Sequence, residues 1–210
     1  MLYFVRTPKW MQRLYSKRIW EIAGSNKVYL TFDDGPHPGH TPWVLDELKK
    51  NNAKATFFCI GKNVVLYPDV YRRILDEGHA VGNHTQHHLS GWKGDDASYM
   101  QDVQEAAKHI DSNLFRPPYG RLSSFREKTL RESAAKYKII MWSVLSGDFD
   151  PDISKERCLN NVVLKTKEGS IVVFHDSEKA AEKMKYALSG LLTMLADKGL
   201  QTDIIKLDNA

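Results

Sequence analysis

The stretch GNHTQHHLSGW, residues 82–92, sets His84, His87 and His88 within five positions of a chain that has eight histidines in all. Imidazole is the commonest protein ligand for transition metals. Clustering it is costly otherwise, because neighbouring rings repel once protonated. A catalytic zinc-type centre takes about three protein ligands and keeps one position open. His84 and His88 are four apart and His84 and His87 three apart, so either pair falls on one face of a helical turn. Adjacent His87 and His88 point apart. The hydrolytic pattern HExxH is absent, because Thr85 and Gln86 follow His84. A second chemical feature is TFDDGPHPGH, where Asp33 and Asp34 follow an apolar run. Two adjacent carboxylates repel unless a cation or a shared proton compensates. One can ligate a metal while the other stays free as a base, and Gly35-Pro36 turns the chain so that both stand at the end of a strand.

The elements that must position these groups alternate. Short β-rich runs cover residues 27–32, 55–60, 79–84, 114–116, 138–144, 170–175 and 202–207. Helical patterns lie between them, at residues 41–51, 68–78, 98–110, 123–137, 154–169 and 178–199. Thr41 is the expected N-cap of the first, with Pro42 at its first helical position. This alternation predicts a parallel α/β architecture, either a (β/α) barrel or an open doubly wound sheet. Asp33-Asp34, His84, Arg116, Asp148 and His175-Asp176 all fall at or just beyond the ends of such runs. In parallel α/β folds the carboxyl ends of the strands share one face, where sites are assembled from several loops. Residues far apart in sequence therefore converge.

A length of 210 residues allows one domain with a substantial core, and the 27% charged and 42% hydrophobic content is that of an ordinary globular chain. A net charge of +4 is too weak to indicate nucleic acid. Cys59 sits in the apolar run ATFFCIG and reads as a core thiol, and Cys59 with Cys158 implies no disulfide framework. No run approaches the ~18 apolar residues of a membrane span. The opening MLYFV is shorter than the roughly 7–15-residue core of a secretory signal. The expected location is therefore cytoplasmic. Trp10, Met11, Leu14, Ile19 and Trp20, interleaved with Lys9, Arg13, Lys17 and Arg18, suit an amphipathic basic helix that packs on the domain or contacts a membrane surface peripherally.

TFDDGP, HTQHH, RPPYG and IVVFHD, in this order, resemble the signature of the polysaccharide deacetylases, the family 4 carbohydrate esterases with a NodB-like homology domain. The resemblance runs from about Lys27 to about Leu207. It implies a deacetylase domain over residues 27–210 behind an N-terminal basic, aromatic extension over 1–26, and a distorted (β/α)7-type barrel rather than an open sheet. It implies Asp34, His84 and His88 as ligands of a divalent ion, Zn2+ first, with Co2+ or another metal as alternatives. Asp33 matches the general base, Arg116 the residue that orients it, Tyr119 an oxyanion donor through its backbone N–H, and His175 the general acid. The implied activity is metal-dependent removal of N-acetyl groups from an N-acetylated carbohydrate. Such substrates include peptidoglycan, chitin-like chains and exopolysaccharide, and Trp92 and Trp43 are candidates for a sugar platform. A deacylase of non-sugar amides and a catalytically weak carbohydrate-binding protein of the same fold are the alternatives.

One motif departs from the family pattern Asp-x-x-Asp-Trp. LSGDF places Leu145 at the first aspartate, expected to buttress the acidic histidine, with Asp148 at the second and Phe149 for the tryptophan. The expectation is a His175 of lowered pKa, unless Asp148 or Asp176 substitutes.

Overall fold

Lys27–Asp33 (β1) forms the centre of the sheet because all but its first residue are buried, as expected of a parallel strand covered on both faces. A computed structural model describes residues 3–207. Around β1 lie Ala55–Cys59 (β2), Ala80–Asn83 (β3), Leu114–Phe115 (β4), Lys138–Ile139 (β5), Val144–Leu145 (β6) and Ile171–His175 (β7). They pair in the order β5-β4-β3-β2-β1-β7-β6, all in parallel. A short Gln201–Thr202 (β8) adds to the start of β1. The sheet curls into the distorted half-barrel of the expected (β/α)7 type.

Register fixes what meets what. Phe32 of β1 lies opposite Phe57 of β2 and Phe174 of β7, and its ring stacks on both at 5.1 and 5.8 Å. Each fully buried ring of this kind contributes about 1.5–3 kcal/mol. Helices cover the outside: Thr41–Lys50 (α2), Pro68–Asp76 (α4) and Ala181–Asp197 (α8) turn Val44, Leu45, Leu48, Ile74, Leu188 and Leu191 onto this core. Asp96–Ala107 (α5), Ser124–Glu132 (α6) and Lys155–Val163 (α7) begin at Asp95, Ser123 and Ser154, whose side chains accept from the helix N–H groups.

Several expectations are redrawn. The run 138–144 is not one strand. It breaks after Ile139 and resumes at Val144, so β5 pairs with β4 while β6 pairs with β7 at the other edge. Ile140 to Ser143 bridge the gap, and Ile19 pairs with Ile140 there. Beyond Thr202 the run 202–207 leaves the sheet, although Ile205 stays buried. Gly61–Leu66 (α3) is a helix the apolar pattern does not reveal. The expected N-terminal helix covers only Lys9–Leu14 (α1), and Trp20 packs in the interior beside Phe115 and Tyr137. His40, not Thr41, is the N-cap of α2, since Thr41 already has helical geometry. The Thr41 hydroxyl is used elsewhere, accepting from the His37 N–H and donating to Asp176.

Candidate active site and metal centre

The strand ends deliver the chemistry. Asp33 at the end of β1 is the register partner of His175 at the end of β7. Asn83 at the end of β3 pairs with Phe115 at the end of β4, which sets His84 and Arg116 side by side one residue further on. The Arg116 N–H donates to the Asn83 carbonyl at 3.1 Å, and His84 Nδ1 lies 2.7 Å from the Arg116 carbonyl oxygen. That oxygen can only accept, so Nδ1 carries the proton and Nε2 presents a free lone pair.

Asp34 Oδ1 lies 3.8 Å from His84 Nε2 and 3.1 Å from His88 Nε2, and one ligand atom from each of the three fits within 4.8 Å of the others. One carboxylate and two imidazoles are the donor set a divalent transition metal takes. His84 is oriented by the outer hydrogen bond typical of metal-ligating histidines, and His88 Nδ1 lies 3.2 Å from the Tyr119 hydroxyl. The three residues thus fit such an ion by chemistry and by orientation. Burial drives His84 down to about 4, against the opposing pull of Asp33, so this imidazole is neutral at ordinary pH. For Asp34 burial acts upward, but the His88 hydrogen bond and the charges of His175, His84 and His88 hold it well below the usual carboxylate range.

The loop that brings His88 back to His84 is not a helical turn. Thr85 and His88 both have left-handed backbones, at φ 65° and 58°. Asp34 (φ 80°) and Tyr119 (φ 60°) share this geometry, so four of the six described non-glycine residues with positive φ border the same site. Each costs about 1–3 kcal/mol, and such strain concentrates where function requires it. The third histidine turns away: His87 donates through Nδ1 to Asp102 of α5 at 2.6 Å, and Asp102 also accepts from the Gln86 and His87 N–H groups. Asp102 therefore shapes the ligand loop, but an Asp within an amphipathic helix gives no sequence signal of that role.

Asp33 faces a fully buried guanidinium. Arg116 Nη1 donates to Asp33 Oδ1 and to Thr31 Oγ1, both at 2.7 Å. Its Nε and Nη2 donate to the carbonyls of Ile140 and Met141 at 3.2 and 2.9 Å. The Phe58 ring lies 4.1 Å from the guanidinium carbon. Such a fork, with four hydrogen bonds accepted from it and an aromatic face beneath it, is fixed in one orientation. Thr31 is the partner that sequence reading passes over, since an inward Thr in a buried strand resembles any β-branched residue.

On the opposite flank His175 has a carboxylate after all. Asp148 accepts from the His175 backbone N–H and from Nδ1, both at 2.7 Å. Burial lowers the His175 pKa, but the charge and hydrogen bond of Asp148, with smaller contributions from Asp34 and Asp33, outweigh it and bring the group to about 9. Of the two substitutes the sequence offers for the missing carboxylate, Asp148 is the one in place, and the pKa is raised rather than lowered. Leu145 is a buried β6 residue, and the turn through Gly147 (φ 79°) swings Asp148 to the histidine. Asp176 is not the substitute: it is fully buried, donates its N–H to the Asp33 carbonyl and accepts from the Thr41 hydroxyl. Burial foremost raises it to about 7. Phe149 sets its ring edge-on to His175 at 5.2 Å.

Of the two tryptophans, Trp92 is 65% exposed with the Arg121 guanidinium over its ring, whereas Trp43 packs against the core beneath Lys185. His37, His40 and Glu178 form a second group with ligand atoms within 4.8 Å. Their geometry is poorer. The two imidazoles stack at 4.4 Å, only 13° from parallel, so their in-plane lone pairs do not converge, and His37 Nδ1 accepts from the Gly39 N–H.

Known proteins share this fold. The polysaccharide deacetylase family model matches residues 21–141. A peptidoglycan-N-acetylglucosamine deacetylase of Bacillus cereus is 36% identical over 187 residues, covering 86% of this chain and 87% of its own length. A chitooligosaccharide deacetylase of a Bradyrhizobium species is 36% identical over 172 residues, covering 78% and 76%. A peptidoglycan N-acetylglucosamine deacetylase solved in complex with 4-naphthalen-1-yl-N-oxidanyl-benzamide superposes with a TM-score of 0.84 at 30% identity, over 95% of each chain. The chain belongs to the polysaccharide deacetylase family, whose members are hydrolases of carbon–nitrogen bonds other than peptide bonds.

Proposed function

We propose that the protein hydrolyses N-acetyl groups on aminosugar units of a poly- or oligosaccharide, peptidoglycan or a chitin-like chain, releasing acetate and leaving a free amine. The observation that carries this reading is one of placement. An arginine-held carboxylate and a carboxylate-held histidine stand at paired positions of neighbouring strands, beside three convergent ligand side chains. The relatives act on peptidoglycan N-acetylglucosamine and on chitooligosaccharides, which directs the reading to acetylated aminosugars.

Asp34, His84 and His88 would hold the ion, zinc by the character of the donor set. When bound it supplies Lewis-acid polarisation of the acetyl carbonyl and acidifies water. The remaining work belongs to the chain. Asp33, aimed by Arg116, takes the proton of the attacking water. The Tyr119 N–H stands ready as a donor for charge developing on the acetyl oxygen. His175, kept protonated by Asp148, gives its proton to the amine nitrogen as the C–N bond breaks, because an unprotonated amide nitrogen is a poor leaving group. Phe149 walls the acid side. Tyr119 and Trp92, 60% and 65% exposed, offer ring faces to sugar units.

The test is acetate release from chitooligosaccharides, peptidoglycan and small non-sugar amides, with and without chelator. Chelator-sensitive release from the sugars is expected. Release confined to small amides would replace the substrate reading, and ligand binding without release from any substrate would leave a carbohydrate-binding protein.

A further inference from the structure

The N-terminal segment lies outside the residues matched by the family model, yet it reaches the catalytic face. One edge of β6 pairs with β7. The other edge is taken by residues 5–7, with Leu145 N–H donating to the Val5 carbonyl at 2.8 Å and Thr7 N–H to the Ser143 carbonyl at 3.1 Å. Arg6 stands opposite Val144 in an antiparallel bridge. This short added strand delivers Tyr3 onto the loop that follows β6. The Tyr3 ring lies 5.5 Å from that of Phe149, which in turn meets His175 at 5.2 Å. The Tyr3 hydroxyl is hydrogen-bonded to Asp150 and sits close over Gly147, where an added Cβ would come within 2.7 Å of it. Tyr3 therefore grips the loop at both ends, at Gly147 and at Asp150, and touches its middle. The residue between Gly147 and Phe149 is Asp148, which makes both carboxylate contacts to His175.

We infer that Tyr3 is a positioning residue for the general acid, holding Phe149 and the Asp148 loop against His175, so that the N-terminal segment is a working part of the site. The inference rests on the role proposed above for His175. Burial and the Asp150 contact raise the Tyr3 hydroxyl to about 12, so it stays protonated as the donor to that carboxylate. Asn161 Nδ2, donating to the Ser146 carbonyl at 2.9 Å, and Lys183, donating to the Asp150 carbonyl, tether the loop at its flanks. Tyr3 adds the contact to Phe149 beside Asp148, whose displacement would loosen both bonds to His175 together.

A general acid matters in proportion to the basicity of the leaving group. An amine departing from an acetamide needs the proton, whereas the 4-nitrophenolate leaving an aryl acetate does not. Tyr3→Ala is expected to lower kcat on an N-acetylglucosamine oligomer on the order of tenfold, part of the 10²–10⁴-fold that a placed acid contributes. KM and zinc content stay unchanged, and hydrolysis of 4-nitrophenyl acetate changes less than about twofold, the scale of a neutral surface substitution. Tyr3→Phe, which keeps the ring and loses the Asp150 bond, falls between, and its amide-to-ester ratio decides alone if Tyr3→Ala does not fold. Equal losses on both substrates, or no loss on either, overturn the inference. Absence of chelator-sensitive acetate release by the unaltered protein would strike the functional reading instead, and shows before any Tyr3 variant is assayed.

Discussion

His84 and His175 are the same side chain at equivalent places, one beyond β3 and the other closing β7, and both face Asp33 and Asp34. Their environments drive them apart. His84 is brought down to about 4, chiefly by burial. His175 feels the same burial but rises to about 9. The difference lies in the partner of Nδ1, a backbone carbonyl for His84 and the Asp148 carboxylate for His175. A carbonyl orients a neutral ring and leaves a lone pair for a cation. A carboxylate stabilises the imidazolium and so makes an acid. Titratable groups pushed in opposite directions within one site are how acid and ligand roles become assigned.

Removing each ring breaks the contrast most severely. His84→Ala should lose the metal and with it all turnover, measured by metal analysis and acetate release. His175→Ala should keep the metal and lose about 10²–10⁴-fold in amide hydrolysis. Equal metal loss in the two variants would erase the distinction.

Next in size is Asp148→Asn, which gives His175 a neutral partner like that of His84. We expect kcat to fall about a hundredfold, at the low end of what a placed acid contributes. The alkaline limb of the pH–rate profile should move towards acid, because the protonated form loses the charge that raised it. An unmoved limb would assign the acid to another group.

A smaller effect follows for stability. The folded His175 pKa lies above its ordinary value of 6.5, at about 9. Its stabilising contribution is therefore complete below about 6.5 and disappears as pH rises through about 9. Thermal unfolding of the metal-free protein should show the native chain ahead of Asp148→Asn at pH 6, with the gap narrowing by pH 9. The smallest change is expected from His87→Ala, whose metal affinity should stay within about twofold, as for a neutral surface substitution. A larger loss would return His87 to the ligand set.

Much of this site is legible in the sequence because parallel strands carry their functional groups at their carboxyl ends. Asp33, Asp34, His84, Arg116 and His175 each stand where an apolar run stops, and register then brings them together. Helical spacing leaves His84 with His87 and His84 with His88 equally open, and the family motif selects the second pair. The loop that joins them is no helical turn, since two left-handed residues close it. The sequence leaves the partner of His175 open between Asp148 and Asp176. Motif spacing pointed to Leu145, whereas Gly147 turns the chain so that Asp148 arrives, and a turn's direction is not visible in residue spacing. The break in 138–144 was hidden because Ile140 and Met141 are as apolar and buried as the strand residues on either side.

That break has a consequence for Arg116. The Ile140 N–H still donates to the Phe115 carbonyl and the Met141 N–H to the Ile19 carbonyl, but the carbonyls of Ile140 and Met141 turn to the Arg116 Nε and Nη2. In an unbroken strand those oxygens would bond a neighbouring backbone, and a guanidinium at this depth would face unmet donors at a cost of about 1–3 kcal/mol each. The irregularity is therefore a seat. A designer who smoothed residues 139–144 into an ideal strand would obtain a more regular barrel and evict the arginine that aims Asp33.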